Sequence, residues 1–550
     1  MARNRFEWRR GPRLLVALFA GIAAVAGSYA AAGFTPSFVV APVEAFLTRT
    51  VPDAVLRFAI TTLGTFAGID HFGQLLNLAM AFGLATALLS AAALAGLAVG
   101  RRLDSALASV GLTGLLAWGV TALLTGAPTL SLGAGVGAAL VVAGAELAAA
   151  STGAPSGGAD AVRRRQLLGG VGTAVGVGAV GVLLGRSPAP ADADGASGSS
   201  ASVEAGDASD GGSGGADAAD ADPGANEGDG EQEADARFGD PEVTARYLEE
   251  AETRALNVEG LESLVSGDDF YTVDIGNVDP KVSAEEWSLS VTGAVGEELT
   301  LGYEDLRGMG AEQRFITLRC VSDKINAKLM DTDLWTGVPV SQILERANPQ
   351  GDYVMLRAAD DYFVGFPLDA LETGFLAYGK GGEALPRAHG HPVRALIPGH
   401  WGEVNTKWIT EIEVLENAEK GFWEKRGWHG TGPVNTVAKL HATNRRDGEI
   451  QVAGHAYAGV RGIDRVEVST DGGETWTDAT LSDPLPAGTD EEGDAAEDAW
   501  RQWEYTYENP GAEHTVVVRA TDGTGTLQPR ENGGPYPSGA TGWVSKTISG

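Results

Sequence analysis

At 550 residues the chain has room for two or three domains and a large buried core. It joins 44% hydrophobic residues and a mean hydropathy of −0.03 to a net charge of −33, values that suit an apolar part and a very acidic part on one chain better than a single globular body. The charge argues against nucleic-acid binding, and the single cysteine, Cys320, excludes an intrachain disulfide and any CxxC metal or haem motif.

Residues 1–186 read as a membrane region. Apolar runs occupy residues 14–34, 75–100, 105–126, 130–150 and 167–185, each near the roughly 20 residues that cross a bilayer. Between the first two, Pro42, Pro52, Asp53 and Arg57 break residues 38–68 into an interfacial or re-entrant helix. Basic clusters set orientation. Arg3, Arg5, Arg9, Arg10 and Arg13 precede the first run, Arg101 and Arg102 follow the second, and Arg163, Arg164 and Arg165 follow the fourth. Five spans place all three clusters in the cytoplasm and everything after Arg186 outside it. Arg164 and Arg165, followed by Gln166, Leu167 and Leu168, also resemble a twin-arginine export signal; a plain stop-transfer cluster is the other reading. His71 is the region's one histidine, which excludes bis-histidine haem ligation within it.

Residues 187–236 form a linker of mainly Gly, Ala, Ser, Asp and Glu, with no Lys, Arg or aromatic residue. Such a segment cannot bury enough surface to fold and acts as a self-repelling tether. The acidic excess, countered mostly by arginine, fits a halophilic protein, because molar salt shortens the Debye length to about 3 Å and screens the repulsion. An ordinary acidic protein enlarged by this linker is the alternative.

In residues 237–432, strand-like runs at 287–291, 315–318, 353–356 and 393–397 alternate with helical stretches such as 339–346, an α+β pattern. Residues 433–550 read as all-β. Runs at 452–457, 466–469, 503–507 and 514–520, with Asp471, Gly472 and Gly473 as a hairpin turn, predict an immunoglobulin-like sandwich. Residues 488–498 are an acidic insertion in one of its loops.

Cys320 ends an apolar strand, and a polar turn follows, the place where a scaffold presents a side chain to a cleft. A thiolate is a soft ligand for a redox metal; an inert buried cysteine is the bland reading. The second feature is a cationic run in an acidic chain: Arg387, His389, His391, Arg394, His400 and Lys407. Arg and Lys suit the phosphate of a cofactor, although a zinc site through His389 and His391, or a mixed loop with exposed histidines, reads as well from these residues alone. Phe270 and Tyr271 open the domain.

Together these features resemble the sulfite oxidase family of molybdenum–pterin enzymes. Its members open the domain with an aromatic pair, set one cysteine after a T-L-x-C strand, and carry an H-G-x-P-V-R … P-G … G … K-W run. Here that run is His389, Gly390, Pro392, Val393 and Arg394, then Pro398 and Gly399, Gly402, Lys407 and Trp408. Residues 423–428 and 539–543 look like a membrane-bound branch, and the resemblance covers residues 265–550. It implies a single pyranopterin dithiolene holding molybdenum with Cys320 as thiolate ligand, and Tyr271, His389, Arg394, Thr406 and Lys407 around the pterin and its phosphate. It also implies a dimerisation-type C-terminal domain and an external electron carrier, since no haem domain is visible. Asp360 sits where the family has an Asp-Gly-Tyr turn, but Asp361 replaces the glycine. Sulfite oxidases proper also follow the cysteine with A-G-N-R-R. Ile325 takes the place of the substrate-binding arginine, Lys324 supplies one charge, Asp323 adds repulsion toward a dianion, and Arg319 is a candidate to reach the cleft instead.

The expectation is a multi-pass, membrane-anchored molybdopterin oxidoreductase that transfers an oxygen atom to or from a small oxo-substrate, sulfite or a sulfoxide. A non-catalytic tethered protein that binds through its immunoglobulin-like domain is the competing class.

Overall fold

The computed structural model describes residues 10–52, 55, 65–66, 69–70, 72–150, 238–487 and 495–549. The expected fifth span, the twin-arginine segment, the acidic linker and His71 lie outside them.

Four long helices follow the apolar runs: α1 (Arg10–Ala32), then, after the short α2 (Val40–Thr50), α3 (Phe72–Arg102), α4 (Ala106–Thr125) and α5 (Leu132–Ala150). Segments 13–32, 75–102 and 106–125 are long and apolar enough to cross a membrane, whereas 132–148 is shorter. Packing in the bundle inverts the pattern of a water-soluble helix. α4 buries Ser109, Thr113, Ala117 and Thr121, four residues apart on one face, and leaves Leu107 and Leu123 86% exposed. Small residues inside and leucine outside are what helices in lipid require, because close backbone approach replaces hydrophobic burial as the source of association. Gly27 of α1 and Gly133 of α5 show that approach: a Cβ on either would fall within 2.2 Å of the other's carbonyl oxygen. α4 ends cleanly, with Ser105 accepting the Ala108 N–H at its start and Gly126 left-handed at its end.

The domain that carries Cys320 begins with α6 (Pro241–Arg254), capped by Asp240 with Pro241 in the first turn. Two five-stranded sheets follow. One contains β1 (Ser288–Gly293), β2 (Leu299–Gly302), β5 (Tyr353–Ala358), β6 (Phe363–Pro367) and β10 (Ile409–Leu415), in the order β2-β1-β10-β5-β6, with β10 parallel to β1. The other contains β3 (Glu312–Arg319), β4 (Met330–Pro339), β7 (Phe375–Lys380) and β8 (Glu383–Ala384), with β9 (Arg394–Leu396) pairing β7. A core of Leu289, Val291, Val338, Val354, Leu356, Leu376 and Ile412 joins them. β4 is buried along its whole length, so its side chains do not alternate between core and solvent.

The C-terminal domain is a sandwich of a five-stranded and a four-stranded antiparallel sheet around Ile450, Val452, Val466, Val468, Trp503, Val516 and Val518, the expected immunoglobulin-like layering. Asp471 caps the expected hairpin turn by accepting from Glu474 and Thr475 N–H groups. The acidic insertion is corrected at its end. Asp498 is buried, accepts the Tyr457 hydroxyl at 2.6 Å, and bridges to Ile316 of β3, so it belongs to the interdomain seam and not to a solvated loop.

Candidate active site

Cys320 directly follows β3, where the chain leaves the sheet in a ten-residue loop. The Cys320 N–H donates to Leu329 O at 3.0 Å and the Asp323 N–H to Cys320 O at 3.0 Å, closing the loop at its base. The thiol is part-buried, 3.1 Å from the Ser322 hydroxyl. Burial pushes its pKa up, so as a free thiol it stays protonated; a bound metal ion would displace that proton. Gly402 lies against it: a Cβ there would come 3.6 Å from Cys320 Cα and 3.2 Å from the Tyr271 hydroxyl. A side chain at position 402 would fill the space between the two.

The aromatic pair and the cationic run meet on the same side. Phe270 stacks on Tyr271 and meets Trp335 and His389 edge-on. Asp331 fixes the pair by accepting the Tyr271 N–H at 2.7 Å. His389 is buried; burial, then Arg394, Lys380 and Lys407, push its pKa down to about 2, so it is neutral. Arg394 is buried and donates to His389 O at 3.1 Å and Asn405 O at 3.2 Å. Its Nε has no hydrogen-bond partner. Burial lowers its pKa to about 10, which leaves it charged. A buried guanidinium with one unmet donor, beside a neutral imidazole and a phenol, fits an anionic, hydrogen-bonding cofactor.

Thr406 is buried and its hydroxyl turns to Val404 O. Lys407 donates to Ala388 O at 2.8 Å, pairs with Asp274 and lies over the Trp408 ring. Asp360 accepts the Tyr362 N–H at 3.0 Å; burial is the main cause that lifts its pKa to about 6, with Asp274 adding to it and Lys407 opposing. Asp361, in the position of the family's glycine, takes the left-handed φ of 66°. Aspartate tolerates that conformation better than most residues, which accounts for the replacement. His400 turns away to Pro398 O and the Pro433 bridge at the domain join. Among the described residues no group of three or more His, Cys, Asp or Glu is placed to hold a metal ion, so the zinc alternative finds no support.

The cysteine loop corrects two expectations and gives Ile325 a packing role. Arg319 does not enter the cleft: it is fully buried, donating to Asp323 at 3.0 Å and Asn435 O at 3.0 Å. Asp323 is buried between Arg319 and Lys439 and presents no carboxylate to a substrate. Ile325 packs against both the interdomain and the C-terminal cores.

Sequence reasoning missed Asn405, whose side-chain oxygen accepts the Ile397 N–H at 2.6 Å and whose carbonyl holds Arg394. It also missed Glu403 and Glu424. Their carboxyl groups interact in a buried setting beside Tyr362, and burial, then Glu424, raises the Glu403 pKa to about 10, so it holds a proton at neutral pH. Asn405 and Glu403 sat inside the cationic run, between Gly402 and Thr406; Glu424 carried no local signal.

A thiol presented at a strand end beside buried cationic and aromatic side chains is an arrangement that a molybdopterin-type oxidoreductase domain would use. Residues 276–423 match the oxidoreductase molybdopterin binding domain family, and residues 433–533 the Mo-co oxidoreductase dimerisation domain family. The chain is 25% identical over 319 residues to mitochondrial sulfite oxidase of Rattus norvegicus and 27% identical over 316 residues to that of Homo sapiens, covering 47% of this chain and 56% of each relative. It is 30% identical over 167 residues to the uncharacterized oxidoreductase YuiH of Bacillus subtilis, covering 30% of this chain and 82% of that one. The chain therefore belongs to the sulfite oxidase family of molybdenum–pterin oxidoreductases. It spans about half the length of the sulfite oxidases it matches.

Proposed function

We propose that this protein is a membrane-anchored, molybdopterin-dependent oxidoreductase that transfers an oxygen atom to or from a small oxo-substrate on the extracytoplasmic side. The convergence of Cys320, Tyr271 and the buried Arg394–His389 pair carries the reading. Cys320 would bind molybdenum; Tyr271, His389, Arg394, Thr406 and Lys407 would hold the pterin and its phosphate. The bound cofactor supplies the two-electron redox change. The protein's part is positioning. Arg394 contributes fixed charge, neutral His389 a hydrogen-bonding ring, and Asp274 holds the Lys407 ammonium at the rim. Asp360, half-protonated near pH 6, is the residue best suited to exchange a proton with substrate.

A neutral oxo-substrate such as a sulfoxide fits the cleft better than sulfite does. The cations beneath the cysteine loop, Arg319 and Lys439, are both fully buried and bound to Asp323, and Ile325 replaces the family's substrate-binding arginine. An external carrier would take or supply the electrons, and the C-terminal domain would pair two copies of the chain. The test is metal and pterin analysis of the purified full chain, followed by steady-state assays with an artificial electron carrier. About one molybdenum per chain and better turnover of a sulfoxide than of sulfite are expected from the buried cations. Zinc or no metal, in cells supplied with molybdate, would overturn the cofactor assignment. Efficient saturable sulfite oxidation would overturn the substrate preference alone.

A further inference from the structure

The loop that carries Cys320 is held from beneath by the other domain. Asp323, four residues past Arg319, has a fully buried side chain. Its Oδ2 accepts from Arg319 Nε at 3.0 Å and from Lys439 Nζ at 2.7 Å, and its Oδ1 accepts the Leu329 N–H at 3.3 Å. Lys439 belongs to the C-terminal domain, in the stretch between the strands Val437–Ala438 and Ala442–Arg446. Its ammonium also donates to Ala327 O at 2.5 Å, so it grips the loop at two points. The neighbouring residue adds a reciprocal clasp: Asn326 Nδ2 donates to Leu440 O at 2.9 Å and the Leu440 N–H donates to Asn326 Oδ1 at 2.7 Å. The backbone of Lys439 is itself fixed in its domain, its N–H donating to His455 O at 2.8 Å and its carbonyl accepting the Trp503 indole N–H at 3.0 Å.

Resting on the reading of Cys320 as the metal's ligand, we propose that Lys439 is a positioning residue for that ligand: docking of the C-terminal domain sets the conformation of the Cys320 loop. Two buried cations share one carboxylate, so removing the ammonium frees the loop's far side while Asp323 stays tied to Arg319. The loop then pivots about its base bonds at Cys320 and Leu329, and the thiol moves with it.

The single cysteine makes this measurable without turnover. In the cofactor-free full chain, Lys439→Met is expected to raise the alkylation rate of Cys320 about tenfold, since local opening exposes the thiol. In the loaded full chain the same variant is expected to shift the Mo(V) EPR signal, which reads the sulfur–metal geometry. Lys439→Arg should bring both back toward wild type. Asn326→Ala cuts the second clasp from the loop's own side and serves if Lys439→Met does not fold; it should move the same readouts in the same direction. Gln502→Ala is the control. Gln502 ties residues 256 and 262 to the C-terminal domain through its side chain, with neither bond made to the loop or to the Lys439 ammonium, so that variant should lower Tm with both cysteine readouts unchanged. Wild-type alkylation and EPR in Lys439→Met and Asn326→Ala, or an equal effect in Gln502→Ala, would overturn the proposal. A chain that binds no molybdenum would overturn the cofactor reading instead, and the alkylation comparison would still stand.

Discussion

Ile325, which the sequence reading sets at the family's substrate-binding arginine position, has a packing role in this chain. Its side chain packs where the interdomain core of Phe315, Trp401 and Trp428 meets the C-terminal core of Val452 and Trp503. Ile325→Arg is therefore expected to lower stability by about 1–3 kcal/mol, through lost burial and a charge in an apolar seam, with no gain in sulfite kcat/KM. Thermal unfolding and a sulfite assay on one preparation check both halves; a stable variant with raised sulfite turnover would restore the position to the cleft. Glu403 has a separate consequence. Its folded pKa of about 10 lies far above the ordinary carboxylate range, because burial and Glu424 disfavour its charged form. The folded state thus keeps a proton that the unfolded state loses. The stability this confers is complete at acid pH and is lost as pH rises toward about 10. Glu403→Gln cannot ionise, so its Tm in the cofactor-free chain should fall less than wild type's between neutral and alkaline pH. Parallel Tm–pH curves would refute this.

Elements differed in how far they could be read from sequence, and the reason is the range of the interactions that define them. Strand β3 and its cysteine were legible because an apolar run followed by a polar turn is a local pattern, and the four long apolar helices were legible for the same reason. The Asp240–Pro241 start of α6 was a local signal too, but it lay at the edge of the acidic linker and went unread. The clasp of Asn326 and Asp323 by residues 439 and 440 joins positions more than a hundred residues apart, and no periodicity encodes it. For the same reason Asp323 read as a charge facing the substrate and Arg319 as a candidate to reach the cleft. Helix α2 belongs with these long-range features. Its Glu44 is 2% exposed and accepts from Thr48 at 3.0 Å, Asn77 of α3 at 2.7 Å and the Asn277 side chain at 3.1 Å, while its Arg49 pairs with Asp361. α2 thus links the helical bundle to the Cys320 domain, close in sequence to the Asp274–Lys407 pair. Glu44 also accepts the Asn277 backbone N–H at 3.3 Å, so Glu44→Leu should quicken amide exchange at Asn277 by about tenfold or more. Exchange unchanged there would mean α2 does not dock in solution.

At the scale of the whole molecule, orientation in the membrane follows from the two ends of the bundle. Asn77 near the start of α3 shares Glu44 with the catalytic domain's Asn277, so that end of α3 lies on the catalytic side. The 31 residues of α3 rise about 46 Å, which carries Arg101 and Arg102 to the opposite face. Arg13 of α1 is close to Arg101, so the basic ends of both helices gather there, as the positive-inside rule requires of a cytoplasmic face. The contact of α2 puts the Cys320 domain at the end of the bundle away from Arg13 and Arg101, and under the positive-inside rule that end would be the outer one. On the topology we propose, α5 would return the chain to the cytoplasmic side, and the apolar run of residues 167–185 would supply a further crossing before the Cys320 domain. A reporter inserted within residues 187–236 should then be accessible from outside intact cells. Protection of that reporter would mean an even number of crossings and a cytoplasmic active site, and would overturn this topology. Arg164→Lys combined with Arg165→Lys tests the route separately. Blocked export supports a twin-arginine pathway, whereas normal export of the double variant removes that route and leaves the five-crossing topology in place, because lysine keeps the positive charge that orients the span.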